Sequence, residues 1–420
     1  MGLAQQKALE ADYVMPTFGR KQVEFVRGEG MMLYDDEGRA YLDFLSGIGV
    51  VSLGHCHPAL VRAIEDQARR LMHVSNYYYI EQRGELAQMI SELIAGEGGD
   101  VYQTFFANSG AEANECAIKL ARLAARKRVE AEGGDAQAAP RLIVTLEGSF
   151  HGRTLATLAA TAQPAKQESF QPLPDGFAST PPNDVAALEQ LFAERGGEVC
   201  AVMLEVVQGE SGVHPCSEEF LAAARRLTAE VGALLICDEV QCGIYRCGAP
   251  FAFQLFGIQP DIVTMAKGIA SGFPMGACAA RADVAGAFAP GDHGSTFGGS
   301  CLAVAAASAT LAQLAKMGAA DHAARVGAYA RERLAALDFT RNVRGYGLMI
   351  AFDLAEPLSL TAGDFVDAAL AAGAVINATG PRTIRLLPPL VCETEHVDAL
   401  IDVLAAVGAG GPEAAGLQES

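Results

Sequence analysis

Apolar runs of strand length recur through the middle of the chain at 101–107, 141–146, 199–207, 232–240 and 261–266. Helical patterns separate them, with small and aliphatic residues returning every three or four positions at 111–132 and 217–232. Continuous apolar strands alternating with helices predict an α/β fold, with a mainly parallel sheet covered on both faces. Beyond residue 302 the texture changes to alanine-rich helices over 303–336. Strand candidates follow at 348–354, 373–379 and 383–391, and a final helix at 395–407. This pattern predicts a smaller α+β unit. The segment 31–44 carries strand and turn signals but is too short to fold alone, so it is expected to pack on that unit. The expected organisation is an N-terminal segment over 1–52, a large domain over 53–302, a small domain over 303–407 and a disordered tail over 408–420.

Composition narrows the function classes. The chain has 420 residues, half of them hydrophobic and 19% charged, which suits a folded enzyme with a large core. The net charge of −19 repels phosphate backbones and anionic headgroups, so neither nucleic acid nor membrane is an expected partner. One pocket can still be basic. Ten cysteines without framework spacing read as reduced thiols, and Cys242 and Cys247 lack a second pair that would make a zinc site, so no metal is expected. The N-terminus shows no signal-peptide pattern and no apolar run is long enough to span a bilayer, which makes the cytoplasm the expected location.

Two polar residues stand at the ends of apolar strands. Asp238 closes LLICDEVQ, and Lys267 follows IVTMAKG 29 residues later. In a parallel sheet both project into the crevice beyond the strands' carboxyl ends. An amine and a carboxylate so placed suit a pyridine-ring cofactor: the lysine bonds its aldehyde and the aspartate faces its ring nitrogen. Opposite charges about 4 Å apart attract by roughly 4 kcal/mol at an effective dielectric of ~20. Before desolvation is subtracted, that raises the ring nitrogen's pKa by up to ~3 units. Taken alone, each residue also fits an ordinary polar strand end. The four apolar residues before Asp-Glu equally resemble the magnesium-binding strand of a nucleotide hydrolase, but that class needs a phosphate loop ending in Gly-Lys, and the chain has no such dipeptide.

A phosphate site is available in ANSGAEANE (107–115), where Ser109, Gly110 and Ala111 open a long helix. Ser109 and Glu112 also have capping-box spacing, which leaves the crowding of small residues unexplained. In GSFHGRT (148–154), Phe150 offers a flat surface for a ring and Arg153 a fork for a carboxylate, whereas His151 is assigned no role.

Together these motifs resemble the class III aminotransferases of fold type I, the aspartate aminotransferase fold, and within them the acetylornithine/ornithine branch. The match runs from about residue 18 to 392 through VRGEGMMLYDDEGRAYLDFLSGIGV, LGHCHPAL, FFANSGAEANECAIKLAR, GSFHGRT, LEVVQGESGV, LLICDEVQCG, PDIVTMAKG and GSTFGGS. The resemblance implies pyridoxal 5'-phosphate as cofactor, with Lys267 bonded to it, Asp238 at its ring nitrogen and Gln241 near its hydroxyl oxygen. It further implies Gly110 and Ala111 at the phosphate and Phe150 on the ring. Thr296 and Ser295 would reach the neighbouring subunit's phosphate and substrate, so a homodimer with shared sites is implied. Arg153 matches a carboxylate-binding residue, Arg385 the arginine for the α-carboxylate of glutamate, and Glu210 the glutamate that masks that arginine while an ω-amino donor is bound.

The reaction so implied moves the terminal amine of an ω-amino donor to 2-oxoglutarate. N2-acetylornithine is the first choice, as a step of arginine biosynthesis, with ornithine, succinylornithine, succinyldiaminopimelate and 4-aminobutyrate as alternatives. A lyase, racemase or mutase, or a silent binding protein on the same fold, is the reading from another class. Departures from the family pattern are Val206, Cys242, Tyr245, Cys247, Ser300 and Cys301, together with Phe18 where a substrate-binding tyrosine is common and Ile48 where ornithine-specific enzymes carry a tyrosine. Tyr245 in place of glycine is expected to narrow or reshape the site.

Overall fold

A seven-stranded sheet lies at the centre of the computed structural model, which describes residues 2–96, 98–356 and 358–410. Its order is Tyr102–Ala107, Gly276–Arg281, Ile262–Met265, Leu234–Asp238, Val199–Leu204, Leu142–Leu146 and Phe177–Thr180. The strand Leu234–Asp238 runs parallel to both of its neighbours, and Gly276–Arg281 runs antiparallel to both of its own. The expected α/β fold with a mainly parallel sheet is therefore present. Leu142–Leu146, Val199–Leu204 and Ile262–Met265 are buried at every position, as strands covered on both faces must be. Alternate residues serve opposite faces: Ile236 joins the apolar cluster under the helix Gly110–Ala131, while Leu235 and Cys237 join the larger cluster on the other side.

The helices start and stop where local chemistry dictates. Ser217 accepts a hydrogen bond from the Phe220 amide at the start of Glu218–Val231, and Gly232 ends that helix with a φ of 68°. On Gly110–Ala131, Ala113, Ala117, Ala121 and Ala125 form a buried stripe of small residues that lets the helix lie close to the sheet.

In the central sheet two strands lie outside the sequence expectation, Gly276–Arg281 and Phe177–Thr180, and beyond it so do Phe25–Glu29, His214–Pro215 and Thr340–Tyr346. The first is GACAAR, poor in β-formers, and its place between two strong strands overrides propensity. A side chain at Gly276 would come within 2.3 Å of the Ser109 carbonyl, so the edge of this strand supports the start of the helix at Gly110.

The N-terminal strands Phe25–Glu29, Met32–Asp35 and Ala40–Asp43 gain a fourth strand from Ala374–Val375, which pairs in parallel with the last of them. A four-stranded antiparallel sheet runs in the order Thr340–Tyr346, Met349–Leu354, Thr383–Leu386 and Asn377–Ala378. The strand expected at 373–379 is thus divided between two sheets. The last helix, Thr394–Gly410, extends three residues past the expected end at 407, and the remainder of the expected tail, 411–420, lies outside the described residues. Among the described residues no single helix is long and apolar enough to cross a membrane.

Candidate active site

The carboxyl ends of the parallel strands open onto a cavity of about 470 Å³. Its walls include Ser109, Gly110, Ala111, Phe150, Arg153, Glu210, Asp238, Gln241 and Lys267, nine of the residues singled out from the sequence. Asp238 is the last residue of its strand and Lys267 stands two residues beyond the end of the next, directly opening the turn Lys267–Ala270. The backbone of Lys267 is left-handed, with a φ of 48°, which is rare for a residue with a side chain and turns the chain sharply off the strand.

Asp238 is held from three sides. Asn114 Nδ2 and His151 Nδ1 each donate to Oδ2 at 2.8 Å, and the Val240 amide donates to Oδ1 at 3.0 Å. A carboxylate has about four lone-pair sites, so one on Oδ1 is left for a further donor. Thr264 fixes Asn114 by donating to its Oδ1 at 2.6 Å. Lys267 is enclosed, and among the described residues no carboxylate lies within ion-pair distance of it. Burial holds its amine below the usual lysine range, with Glu210 pulling the other way. A lowered amine pKa favours the neutral, nucleophilic form.

At the opposite wall, Ser109 Oγ accepts the Glu112 amide at 3.2 Å, and Glu112 reaches back to the Asn108 amide at 2.9 Å. The capping arrangement expected as an alternative is therefore present in modified form, with Asn108 taking the place of the cap residue's own amide. It fixes the helix start and leaves the amides of Gly110 and Ala111 at the cavity wall, at the positive end of a 22-residue helix. A side chain at Gly110 would meet Val240 at 2.7 Å. An amide cradle, an enclosed amine without a counter-ion, a braced carboxylate with a free lone pair and the face of Phe150 fit a phosphorylated pyridine aldehyde.

Arg385, on Thr383–Leu386, is almost fully buried. Its Nη1 donates to Glu210 Oε1 at 2.8 Å, Gln241 Oε1 at 2.9 Å and the Gly209 carbonyl at 3.1 Å, and its Nη2 donates to Asn377 Oδ1 at 2.9 Å. Gln241 Nε2 in turn donates to Glu210 Oε1 at 3.0 Å, so the amide bridges both members of the pair. Burial alone would raise the Glu210 carboxyl, but Arg385 overcomes it and holds Glu210 down at about 2. A side chain at Gly209 would fall 2.0 Å from Gln241 Oε1, so the bridge requires glycine there.

Ser295 and Thr296 do not line this cavity. They face a separate recess of about 1030 Å³ with Tyr77 and Tyr79, both almost fully exposed. Their loop is nevertheless tied to the site, because Asn108 Nδ2 donates to Ser295 Oγ at 3.1 Å and Asn108 lines both the helix start and the cavity. Tyr245 corrects an expectation: it is buried in the core rather than on the cavity wall, because left-handed backbone at Ile244 and Tyr245 folds the loop back onto Pro250. Cys242 and Cys247 are likewise buried, Phe18 is exposed away from the cavity, Ile48 lies two residues before Val50 on its wall, and Ser300 caps the helix beginning at Cys301.

The sequence reading missed Asn114, His151 and Glu205. Glu205 accepts the Phe150 amide at 2.8 Å and the Gly209 amide at 3.0 Å, joining two walls of the site, and burial pushes its carboxyl up to about 7. Its position six residues after the start of a fully buried strand was the available signal, since an acid ending such a strand needs buried donors.

Residues 16–407 match the family described as aminotransferase class-III. The chain is 44% identical over 400 residues to the acetylornithine aminotransferase of Methanocaldococcus jannaschii, covering 94% of this chain and 96% of that protein. It is 45% identical over 401 residues to the acetylornithine aminotransferase of Caldanaerobacter subterraneus, covering 94% and 97%. Among solved structures, the ornithine aminotransferase of Toxoplasma gondii aligns with a TM-score of 0.88 at 30% identity, covering 97% of this chain and 95% of that one. The acetylornithine aminotransferase of Elizabethkingia anophelis aligns with a TM-score of 0.83 at 32% identity, covering 96% and 98%.

Proposed function

The chain belongs to the class III aminotransferases, which depend on pyridoxal phosphate, and from that premise we propose that it moves the terminal amine of an Nα-acylated ornithine, N2-acetylornithine first, to 2-oxoglutarate. The observation that carries this reading is the Arg385–Glu210 pair bridged by Gln241. With Glu210 on Arg385, the pocket presents no free cation at that wall and accepts a donor whose reacting end carries only an amine. With Glu210 displaced, Arg385 takes the α-carboxylate of glutamate. One pocket thereby serves two substrates of different charge.

Pyridoxal phosphate, when bound, supplies an aldehyde that bonds amines and a ring that accepts electron density from the adjacent carbon. The chain supplies the rest. The amides at Gly110 and Ala111, with Ser109, would hold the phosphate, and Phe150 would offer its face to the ring. Asp238, oriented by Asn114 and His151, would face the ring nitrogen and favour its protonated form. Lys267 Nζ is the base that takes a proton from the carbon bearing the donor's amine, and burial, by lowering its pKa, favours the neutral form that role needs. Arg153 holds the carboxylate remote from that carbon.

Ser295 and Thr296 act in this reading from one copy of the chain on the site of another. The support is their location on an open recess beside exposed Tyr77, Tyr79 and Phe297. The cytoplasm is the proposed location, supported by ten cysteines that are all free.

A donor panel with 2-oxoglutarate, read by glutamate formation, tests the proposal. Acetylornithine is expected to exceed ornithine and 4-aminobutyrate in kcat/KM by at least about tenfold, a difference of ~1.4 kcal/mol in transition-state binding. Equal or greater efficiency with ornithine would overturn the donor assignment.

A further inference from the structure

Two cations converge on one phenyl ring at the cavity's rim. The Arg153 guanidinium carbon lies 5.5 Å and Lys166 Nζ 5.3 Å from the centre of the Phe150 ring, and Phe150 and Arg153 both line the cavity. Among the described residues neither cation is in an ion pair, although the chain carries 50 acidic side chains against 31 basic ones. Nearby in sequence, Arg126 and Arg195 each pair with a glutamate.

Lys166 is also held in place. It sits on the short helix Pro164–Gln167 and is half-buried, and its ammonium donates to Gln163 Oε1. Gln163 Nε2 in turn donates to the carbonyls of Ser149 at 2.9 Å and Gly148 at 3.2 Å, the two residues that lead into Phe150. The amide thus fixes the lysine to the same loop that carries the ring and Arg153. Burial, and after it the like charge of Arg153, holds the ammonium below the usual lysine range, while Glu210 and Glu205 across the cavity pull the other way. Two like charges gathered on one ring without a counter-ion are stabilised by an anion that binds beside them.

We propose that Lys166 is a specificity-determining residue that, with Arg153, clamps the substrate carboxylate remote from the reacting carbon. This rests on the proposed amino transfer for the identity of the substrates: in 2-oxoglutarate the clamped group is the distal carboxylate, and in the ω-amino donor it is the α-carboxylate. The clamp selects dicarboxylate acceptors over monocarboxylate ones and leaves the bond-making end of the pocket to Lys267.

The test uses the holoenzyme with Lys166→Met and Lys166→Arg. Glutarate, a dicarboxylate that cannot react, is titrated while the cofactor's absorbance is followed, and KM is measured for 2-oxoglutarate and for the monocarboxylate 2-oxobutyrate. Lys166→Met is expected to raise the glutarate Kd and the 2-oxoglutarate KM about fivefold to tenfold, as loss of one charge-assisted contact at a half-exposed position does. The 2-oxobutyrate KM stays within about twofold, and Lys166→Arg restores dicarboxylate binding. An unchanged glutarate Kd, or an equal rise in KM for both acids, overturns the clamp. If no donor transfers nitrogen to 2-oxoglutarate, the transfer reading falls, while the glutarate titration still decides the role of Lys166.

Discussion

Replacing Glu210 by glutamine removes one charge and keeps the shape of the Arg385 latch. The carboxyl is held at about 2, against 4.5 for a free glutamate, although burial works in the opposite direction. At about 1.36 kcal/mol per pH unit that gap is worth roughly 3 kcal/mol. The amide oxygen of the variant can still accept from Arg385, a neutral hydrogen bond worth about 1 kcal/mol, which leaves a loss of roughly 2 kcal/mol. Glutamate must displace this latch before its α-carboxylate reaches Arg385, so Glu210→Gln is expected to strengthen its binding roughly thirtyfold. The donor is expected to bind less well, because a buried arginine then faces its amine end, which brings no carboxylate, without a counter-ion. The assay is the pair of single-turnover half-reactions, followed by cofactor absorbance, with glutamate and with acetylornithine. A glutamate-to-donor preference within twofold of the parent enzyme refutes the masking argument. The pH behaviour has a definite sign. A depressed carboxyl keeps the latch fully formed above about 4.5 and loses it as pH falls through about 2, so no break in that preference is expected from Glu210 between pH 6 and 9.

Lys267→Ala is expected to reduce turnover by at least about a thousandfold and abolish the visible absorbance of the lysine-bonded cofactor, with far-ultraviolet circular dichroism and Tm showing a retained fold. Steady-state transamination by that variant would sink the mechanism. Gly209→Ala drives a methyl to 2.0 Å from Gln241 Oε1 and is expected to cost about 1–3 kcal/mol in denaturant unfolding while weakening the preference of the half-reactions. Parental stability together with parental preference would show that Gln241 is not the bridge.

Much of the site was legible because each of its loops follows a buried strand and carries a residue type that such a position rarely tolerates. Asp238 and Lys267 are the plainest cases, and the small residues after Ser109 mark the helix start. What escaped depends on pairing over long separations. Asn114 braces Asp238 across 124 residues, and nothing near Asn114 on its helix signals that partner. His151 looked like one polar residue among several in its loop until the fold brought its ring to the same carboxylate. The strand Gly276–Arg281 is specified by its neighbours rather than by its own alanines and glycine, and Tyr245 was misplaced because two left-handed residues in succession cannot be read from side-chain types.

The divided strand at 374–378 ties distant parts of the molecule together. Ala374–Val375 belongs to the N-terminal sheet, and three residues on Asn377 grips Arg385. The chain's first fifty residues therefore bear on the latch as a splint bears on a joint it does not touch. The strand pairing at Ala374–Val375 and the hydrogen bond at Asn377 thus place the N-terminal sheet within a few residues of the arginine in the substrate pocket.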